Sequence, residues 1–335
     1  MKKIQSYNLP SKEGGIYIYC ATDANYAAVT GVMLTSLCMT AKDPKKLKIF
    51  IADGGISQED ISKYEGLETK FGAEVYLIEI SKDIYSSLIT NLYMTEATYY
   101  RFAVEHIFPT LDKVIYLDCD VVLMSDIAQL WNVDIGNNYF AAVRDHLGGQ
   151  EFFDKVRPLW YSNAGVLLIN LPRWRREGFL KKALEYIERE KPFLMDQDAL
   201  NEVSQGLITR LHPKFNCAEG VSVHKTPFQD QREREETLAN PVIYHFLGSK
   251  KPWTDDPATA LAYKVFRRYA DDSAWKNSFG KPVGWKKRIK SIRLAIRARK
   301  KNIIERVVPL PMRLRYEKLK YTIKYKVLKA HAKQK

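Results

Sequence analysis

Val114-Ile115-Tyr116-Leu117-Asp118-Cys119-Asp120 joins four apolar, β-prone residues to an acid-x-acid triplet. The apolar part is too short for a helix and rich in β-branched and aromatic side chains. It predicts a strand buried on both faces, with the acids marking where that strand leaves a sheet. Similar runs recur on either side, at Ile16 to Cys20, Leu47 to Ala52, Glu74 to Ile80, Phe140 to Val143 and Val166 to Ile169. Helical patterns lie among them, at Ala24 to Thr40, Ser57 to Phe71, Thr98 to Ile107 and Arg173 to Arg189, and a last helix is expected from Ala258 to Ala270. Strand and helix alternate, which predicts an α/β fold with a mostly parallel sheet covered on both sides by helices. In such sheets ligands bind at the carboxyl ends of the strands, where Asp118 and Asp120 fall.

A chain of 335 residues has room for two domains, or for one large α/β domain with an appendage. With 46% hydrophobic and 12% aromatic residues it is too apolar for a disordered polyelectrolyte. Cys20, Cys38, Cys119 and Cys217 are scattered without the C-x-x-C spacing of thiolate zinc sites, and a reducing cytosol fits them best. Met1 to Gly15 has no apolar run behind its lysines, so no signal peptide is expected. No uncharged apolar stretch is long enough to predict a membrane span.

Charge divides the chain. From Ser273 to Lys335 there are 21 lysines and arginines against Glu305 and Glu317, a net +19, which leaves −5 for residues 1–272 of a chain whose total is +14. A mildly acidic body over 1–272 and a basic tail over 273–335 are therefore expected. In the tail Trp285, Ile289, Ile292 and Ile296 form one apolar stripe in a field of Lys and Arg. After Pro309 and Pro311, Tyr316, Leu319, Ile323 and Val327 repeat the pattern. Basic amphipathic helices of this kind lie in the headgroup region of an anionic leaflet, at about 1 kcal/mol per basic residue near the surface. A pair of solvated or self-packed helices is the alternative. The tail carries no recognisable nucleic-acid-binding fold, so nucleic acid is not expected as a specific partner.

Side chains two apart on an extended segment share a side, so Asp118 and Asp120 can converge, and a hard divalent cation such as Mg²⁺ or Mn²⁺ would relieve their repulsion. Two loop acids capping the next segment would give the same spacing. Further on, Tyr244-His245-Phe246-Leu247-Gly248-Ser249-Lys250-Lys251-Pro252-Trp253 delivers an imidazole, a glycine and lysines into one loop. His245 reads either as a third metal ligand or as a satisfied core histidine. Gly248 allows close approach of backbone to an anion, and Lys251 can neutralise phosphate. The D-x-D-x-V order from Asp118 to Val122 also matches haloacid-dehalogenase-like phosphatases, although those place the segment on their first strand. A polyanion-binding protein without activity is the non-enzymatic reading.

Five ordered motifs favour one of these readings. They are Ala21-x-Asp23-x-Asn25-Tyr26-Ala27, the Asp118-Cys119-Asp120 triplet, Asn163 to Leu171, Asp196-Gln197-Asp198, and His245-x-x-Gly248-x-x-Lys251-Pro252-Trp253. From about Ile16 to Trp253 the chain resembles glycosyltransferase family 8, the retaining enzymes that include bacterial lipopolysaccharide galactosyl- and glucosyltransferases and, more distantly, glycogenin. The resemblance implies a GT-A type, Rossmann-like nucleotide-sugar-binding domain. It implies Mn²⁺, with Mg²⁺ as the alternative, held by Asp118, Asp120 and His245 and bridging the phosphates of a UDP-hexose. Ala21, Asp23 and Asn25 would hold uracil and ribose, although Asp23 and Asn25 read equally as the N-cap of the next helix.

Arg101, Asp145, Asn163, Asp196 and Gln197 match positions around the donor sugar, Cys119 lies between the two acids, and Gly248 and Lys251 match diphosphate contacts. Taken singly, Asp196 also reads as the N-cap of a helix from Gln197 to Ser204, and Arg101 as the partner of a surface acid. Gln197 matches the residue nearest the reacting carbon, with Asp196 and Asp145 beside it. An amide is a poor nucleophile, so attack by the acceptor on the face the diphosphate leaves is expected rather than a covalent intermediate on Asp196. Tyr93 stands where related galactosyltransferases carry an acceptor-contacting histidine. The Cys119 side chain is expected to point away from the metal into the core. A lipid-linked glycan acceptor on the inner face of the cell membrane accounts for both site and tail.

Overall fold

Along β2 (Ile16–Asp23), Tyr17, Tyr19 and Ala21 enter one apolar cluster while Ile16, Ile18 and Cys20 enter another. A strand with both faces covered has no polar side to show, which is why the sequence reads as an unbroken apolar run. The computed structural model describes residues 2–4, 14–80, 96–145, 160–192, 194–218, 231–248, 250–254 and 260–280. Tyr93 and the two basic helices expected beyond residue 281 lie outside the described residues.

The other strands are β1 (Lys2–Ile4), β3 (Leu47–Gly54), β4 (Glu74–Glu79), β5 (Lys113–Leu117), β6 (Val121–Leu123), β7 (Phe140–Arg144), β8 (Ser162–Asn170), β9 (Ile208–Arg210), β10 (Cys217–Ala218) and β11 (Ile243–His245). Among the described residues, seven of these join β2 in one eight-stranded sheet, in the order β1-β4-β3-β2-β5-β8-β7-β9. Pairing is parallel from β1 through β5 and between β7 and β9, and β8 runs antiparallel to both of its neighbours. The expected mostly parallel sheet is thus present, with one reversed strand near its centre. From β2 the chain steps outward through β3 and β4, then returns to place β5 on the other side of β2. The carboxyl ends of β2 and β5 therefore flank a topological switch point, the usual place for a nucleotide in such sheets.

A second, three-stranded sheet has the order β10-β11-β6. Its register sets His245 opposite Val121, the residue after Asp120, and Phe246 N donates to Asp120 O at 3.0 Å. A histidine 125 positions away in sequence is delivered to the acid triplet by this pairing alone.

Helix α1 (Ala27–Thr40) has buried residues on every side. Its Gly31 is covered by Trp275, whose indole a Cβ at that position would overlap. The Trp275 ring also packs on Tyr64 of α2 (Gln58–Phe71), and Trp275 is 1% exposed. Phe279 packs on Phe266, which in turn lies against Trp253. The packed body therefore runs to about Gly280, past the 272/273 division drawn from charge. Charge marks where basic residues begin to accumulate, while the buried Trp275 and the half-buried Phe279 still pack against the body.

After α3 (Val104–Ile107) and α4 (Ala128–Trp131), the helix expected over Arg173–Arg189 is two: α5 (Leu171–Glu177) and α6 (Phe179–Glu190). Gly178, with φ +62°, supplies the left-handed residue that ends the first. The helix expected over Thr98–Ile107 is mostly a 3-10 segment, Glu96–Ala103, that carries Arg101. α7 (Met195–Ser204), α8 (Gln231–Ala239) and α9 (Ala260–Ala270) complete the helices. No helix among the described residues is long and apolar enough to cross a membrane.

Candidate active site

Asp118 leaves β5 with its backbone N–H on Gly165 O at 2.8 Å. Its Oδ1 accepts from Arg101 Nη2 at 3.0 Å and from the Tyr116 hydroxyl at 2.8 Å. Asp118 Oδ2 faces Gly165, where an added Cβ would come within 2.8 Å of it and overlap His245 Cε1. Only glycine leaves room for both that carboxylate and that imidazole beside β8. Asp120 Oδ1 lies 3.0 Å from His245 Nε2, and Lys251 Nζ donates to Asp120 Oδ2 at 2.5 Å and to Phe246 O at 2.6 Å. Burial alone would raise the Asp120 carboxyl, but His245 and Lys251 hold it well below the usual carboxylate range.

One ligand atom each from Asp118, Asp120 and His245 fall within 4.8 Å of one another. Two carboxylate oxygens and an imidazole nitrogen at this spacing are a donor set that a divalent cation fits. His245 is only 2% exposed and both ring nitrogens have partners. It is buried and satisfied, and it also faces the acids, so the two sequence readings of this histidine describe one residue.

Arg101 is no surface ion-pair partner. It is 5% exposed, lies over the Tyr116 ring at 4.7 Å, and uses Nη1 on Ala164 O at 2.8 Å and Nε on Asp196 Oδ2 at 2.9 Å. Burial opposes its charge, but Asp196, Tyr116 and Asp118 outweigh that and hold the guanidinium charged. Asp196 does not cap a helix beginning at Gln197. α7 starts earlier, at Met195 in the left-handed region with φ +39°, and Asp196 turns inward to Arg101. Its carboxyl is pushed up to about 6 by burial, which together with Asp118 outweighs the guanidinium.

Gln197 is fixed at both ends of its amide. Its Oε1 accepts from Ala164 N at 3.0 Å and Asn163 Nδ2 at 3.2 Å, and its Nε2 donates to Asp145 Oδ2 at 2.6 Å. The structure thus brings together Arg101, Asp118, Asp120, Asp145, Asn163, Asp196, Gln197, His245 and Lys251 as one connected polar network. Asp23 forms a turn, accepting from Asn25 N at 2.9 Å and Tyr26 N at 3.0 Å ahead of α1, and Asn25 is exposed. Cys119 points away from the acids and donates to Ala21 O at 3.1 Å. Burial, with Asp118 and Asp120 next, pushes its thiol up to about 12, so it is unreactive at neutral pH. Gly248 is exposed in the left-handed region with φ +86°.

Three participants escape a reading of the sequence. Tyr116 stands two residues before Asp118 on the same strand face, a spacing that could have flagged it. Gly165 falls within the Asn163 to Leu171 motif, with no signal of what its missing side chain makes room for. Asn216, which faces His245, has no local signal at all.

An acid-x-acid pair at a topological switch point, met by a histidine from a second sheet, is the arrangement of a GT-A type glycosyltransferase, and the family match bears it out. Residues 17–257 match the family described as Glycosyl transferase family 8, and the chain belongs to it. It is 29% identical over 284 residues to "General stress protein A" of Bacillus subtilis (strain 168), covering 81% of this chain and 98% of that protein. It is 28% identical to the "Lipopolysaccharide 1,3-galactosyltransferase" of Salmonella typhimurium, covering 76% and 77%. A solved structure of galactosyltransferase LgtC with donor and acceptor sugar analogs superposes with a TM-score of 0.68 at 27% identity, covering 77% of this chain and 96% of that one. The phosphatase reading falls with this membership and with the place of Asp118, which ends β5 rather than the first strand.

Proposed function

We propose that the protein transfers a hexose, glucose or galactose, from a UDP-sugar to a lipid-linked glycan with retention of configuration, in a Mn²⁺-dependent reaction. The observation that carries this reading is the convergence of Asp118, Asp120 and His245 at the switch point between β2 and β5. Named galactosyltransferases among its relatives support the choice of a hexose.

A divalent cation held by these three residues supplies Lewis-acid stabilisation of the departing diphosphate. The chain's own residues do the rest. Arg101 and Tyr116 fix Asp118 Oδ1, so that its other oxygen is the one left to the cation. Lys251, already at Asp120, supplies positive charge where the leaving group gains negative charge. Asp23, Asn25 and Ala21 lie at the end of β2, within the cleft that would take uracil and ribose, and Gly248 offers a loop with no side chain to hinder a diphosphate.

Gln197 Oε1 already accepts from Ala164 N and Asn163 Nδ2, which leaves the amide a poor nucleophile and favours front-face attack. In that step the bond from the anomeric carbon to the UDP oxygen breaks, the acceptor hydroxyl oxygen bonds the same carbon, and its proton passes to a phosphate oxygen of the donor. Asp145, Asn163 and Asp196 complete the polar wall around the sugar.

The basic tail beyond the body is assigned to reversible attachment to the anionic inner face of the cell membrane, which places the enzyme in the cytoplasm at a lipid-linked acceptor. The test is a screen of UDP-sugars for slow hydrolysis. Turnover of UDP-glucose or UDP-galactose that needs Mn²⁺ and is lost in Asp120→Ala supports the reading. No turnover of any UDP-sugar, or turnover indifferent to chelator, overturns it.

A further inference from the structure

The hydrogen bonds behind His245 form a chain whose direction is set at one end. Gly165 N–H, a donor by nature, gives its proton to Asn163 Oδ1 at 3.0 Å. That fixes which end of the Asn163 amide is oxygen. Asn216 meets the same oxygen at 2.7 Å, so the group it presents there must be its NH₂. Its own Oδ1 is then the atom 2.9 Å from His245 Nδ1, and the hydrogen on that contact must belong to the imidazole. With Nδ1 committed to Asn216, the nitrogen left to a cation is Nε2, which faces Asp120 at 3.0 Å. Asn163, Asn216 and His245 are 6%, 1% and 2% exposed, so water does not compete along the chain.

We propose that Asn216 is a positioning residue for the metal site, which through Gly165 and Asn163 holds His245 in the one tautomer and ring orientation able to ligate a divalent cation. The proposal rests on the assignment of Asp118, Asp120 and His245 as cation ligands. Asn216 ends the 3-10 turn Pro213–Asn216, directly before β10, whose pairing with β11 fixes its height against His245. The opposite tautomer would set a bare Nδ1 against the Asn216 carbonyl oxygen, where nothing can come between them, whereas a bare Nε2 facing Asp120 Oδ1 is an acceptor pair that a shared cation would satisfy. Through Nδ2, Asn163 also donates to Gln197 Oε1, so one amide couples the cation side of the site to the sugar side.

Hydrogen-bond partners of metal-bound histidines are worth about 10- to 100-fold in metal affinity. The test is Mn²⁺ binding to the full chain, by calorimetry and by pulsed EPR of the nitrogen coupling from the imidazole, in the unsubstituted protein and in Asn216→Leu, Asn216→Asp and Asp120→Ala. Asn216→Leu should bind Mn²⁺ about 10- to 100-fold more weakly and lose or alter the nitrogen coupling. Asn216→Asp keeps an acceptor for Nδ1–H but turns its second carboxylate oxygen on Asn163 Oδ1, so it should keep the nitrogen coupling while recovering only part of the affinity, which a residue that only fills space would not predict. Should Asn216→Leu not fold, Asn216→Ala takes its place. Unchanged Mn²⁺ affinity and coupling in the leucine or alanine variant, with binding lost in Asp120→Ala, overturns the role of Asn216 and leaves the cation assignment standing. Loss of the imidazole coupling in the Asp variant as well as in the Leu variant also overturns it. No Mn²⁺ binding by the unsubstituted protein overturns both.

Discussion

Arg101 Nε lies 2.9 Å from Asp196 Oδ2 while the same guanidinium reaches Asp118 Oδ1 at 3.0 Å, so one buried cation ties together carboxylates from two separate elements. Removing one member of a buried ion pair leaves an uncompensated charge and costs about 3–5 kcal/mol. Arg101→Ala is therefore expected to lose stability on that scale in urea unfolding. Arg101→Lys should recover little of it, because an ammonium cannot reproduce the fork that serves Asp196, Asp118 and Ala164 O at once. Stability within about 1 kcal/mol of the parent in either variant would contradict this role for the guanidinium.

Asp196 gives the fold a pH dependence of definite sign. Its carboxyl sits at about 6 in the folded protein against an ordinary 3.8, so between those values the folded state holds a proton that the unfolded chain has released. The protonated form is favoured on folding, and this contribution is complete below about pH 4 and lost as pH rises through 6, a change of about 3 kcal/mol. The difference in unfolding free energy between pH 4 and pH 7.5 should shift by about that amount in Asp196→Asn relative to the parent. An unaltered difference would mean that Asp196 is ionised throughout.

Gly165 makes a sharper test of geometry than any of the cation ligands. A methyl group there overlaps His245 Cε1 and crowds Asp118 Oδ2, so Gly165→Ala should abolish measurable Mn²⁺ binding by calorimetry. Gly66, in the interior of α2 with open space around it, is the control. Gly66→Ala should leave binding intact and raise stability by up to about 1 kcal/mol. Retention of Mn²⁺ affinity in Gly165→Ala would sink the assigned site.

Trp275 anchors the last turn of the packed body. Its indole lies on Gly31 and Tyr64, and Nε1 donates to Asp60 Oδ1 at 2.6 Å. Trp275→Ala should cost about 3–5 kcal/mol, and a chain ending at Asp272 should be destabilised at least as much. A chain ending at Gly280 should melt with the parent but fail to co-sediment with vesicles containing anionic lipid. Unchanged sedimentation would remove the membrane role of the tail.

Most of the strands were legible because each is long enough to show its character alone. Ile16 to Cys20 and, apart from Lys48, Leu47 to Ala52 are apolar on both faces, and Asp118 and Asp120 advertise themselves by sitting at the end of such a run. Gly178 escaped notice because the apolar spacing of Arg173 to Arg189 continues across it, and periodicity cannot see a left-handed residue that restarts a helix. The reversed direction of β8 has no local mark either, since strand polarity belongs to pairing. Asn216 and His245 depend on β10, β11 and β6, strands of two or three residues with no periodicity to read. The residues around His245 offered it as a ligand or a core histidine and family resemblance chose the first, while Asn216, outside every motif, became visible only through its contacts.

The three-stranded sheet has a further consequence. Because β6 begins directly after Asp120 and β11 ends on His245, main-chain pairing, rather than the arrival of a nucleotide, assembles the cradle. The entropy of gathering these distant groups is lost once, when the polypeptide folds, and every later turnover begins from a preorganised receptor. A chelated chain should accordingly stay folded, its melting transition lowered only by the binding free energy forgone, in contrast to small domains that exist only around their ion.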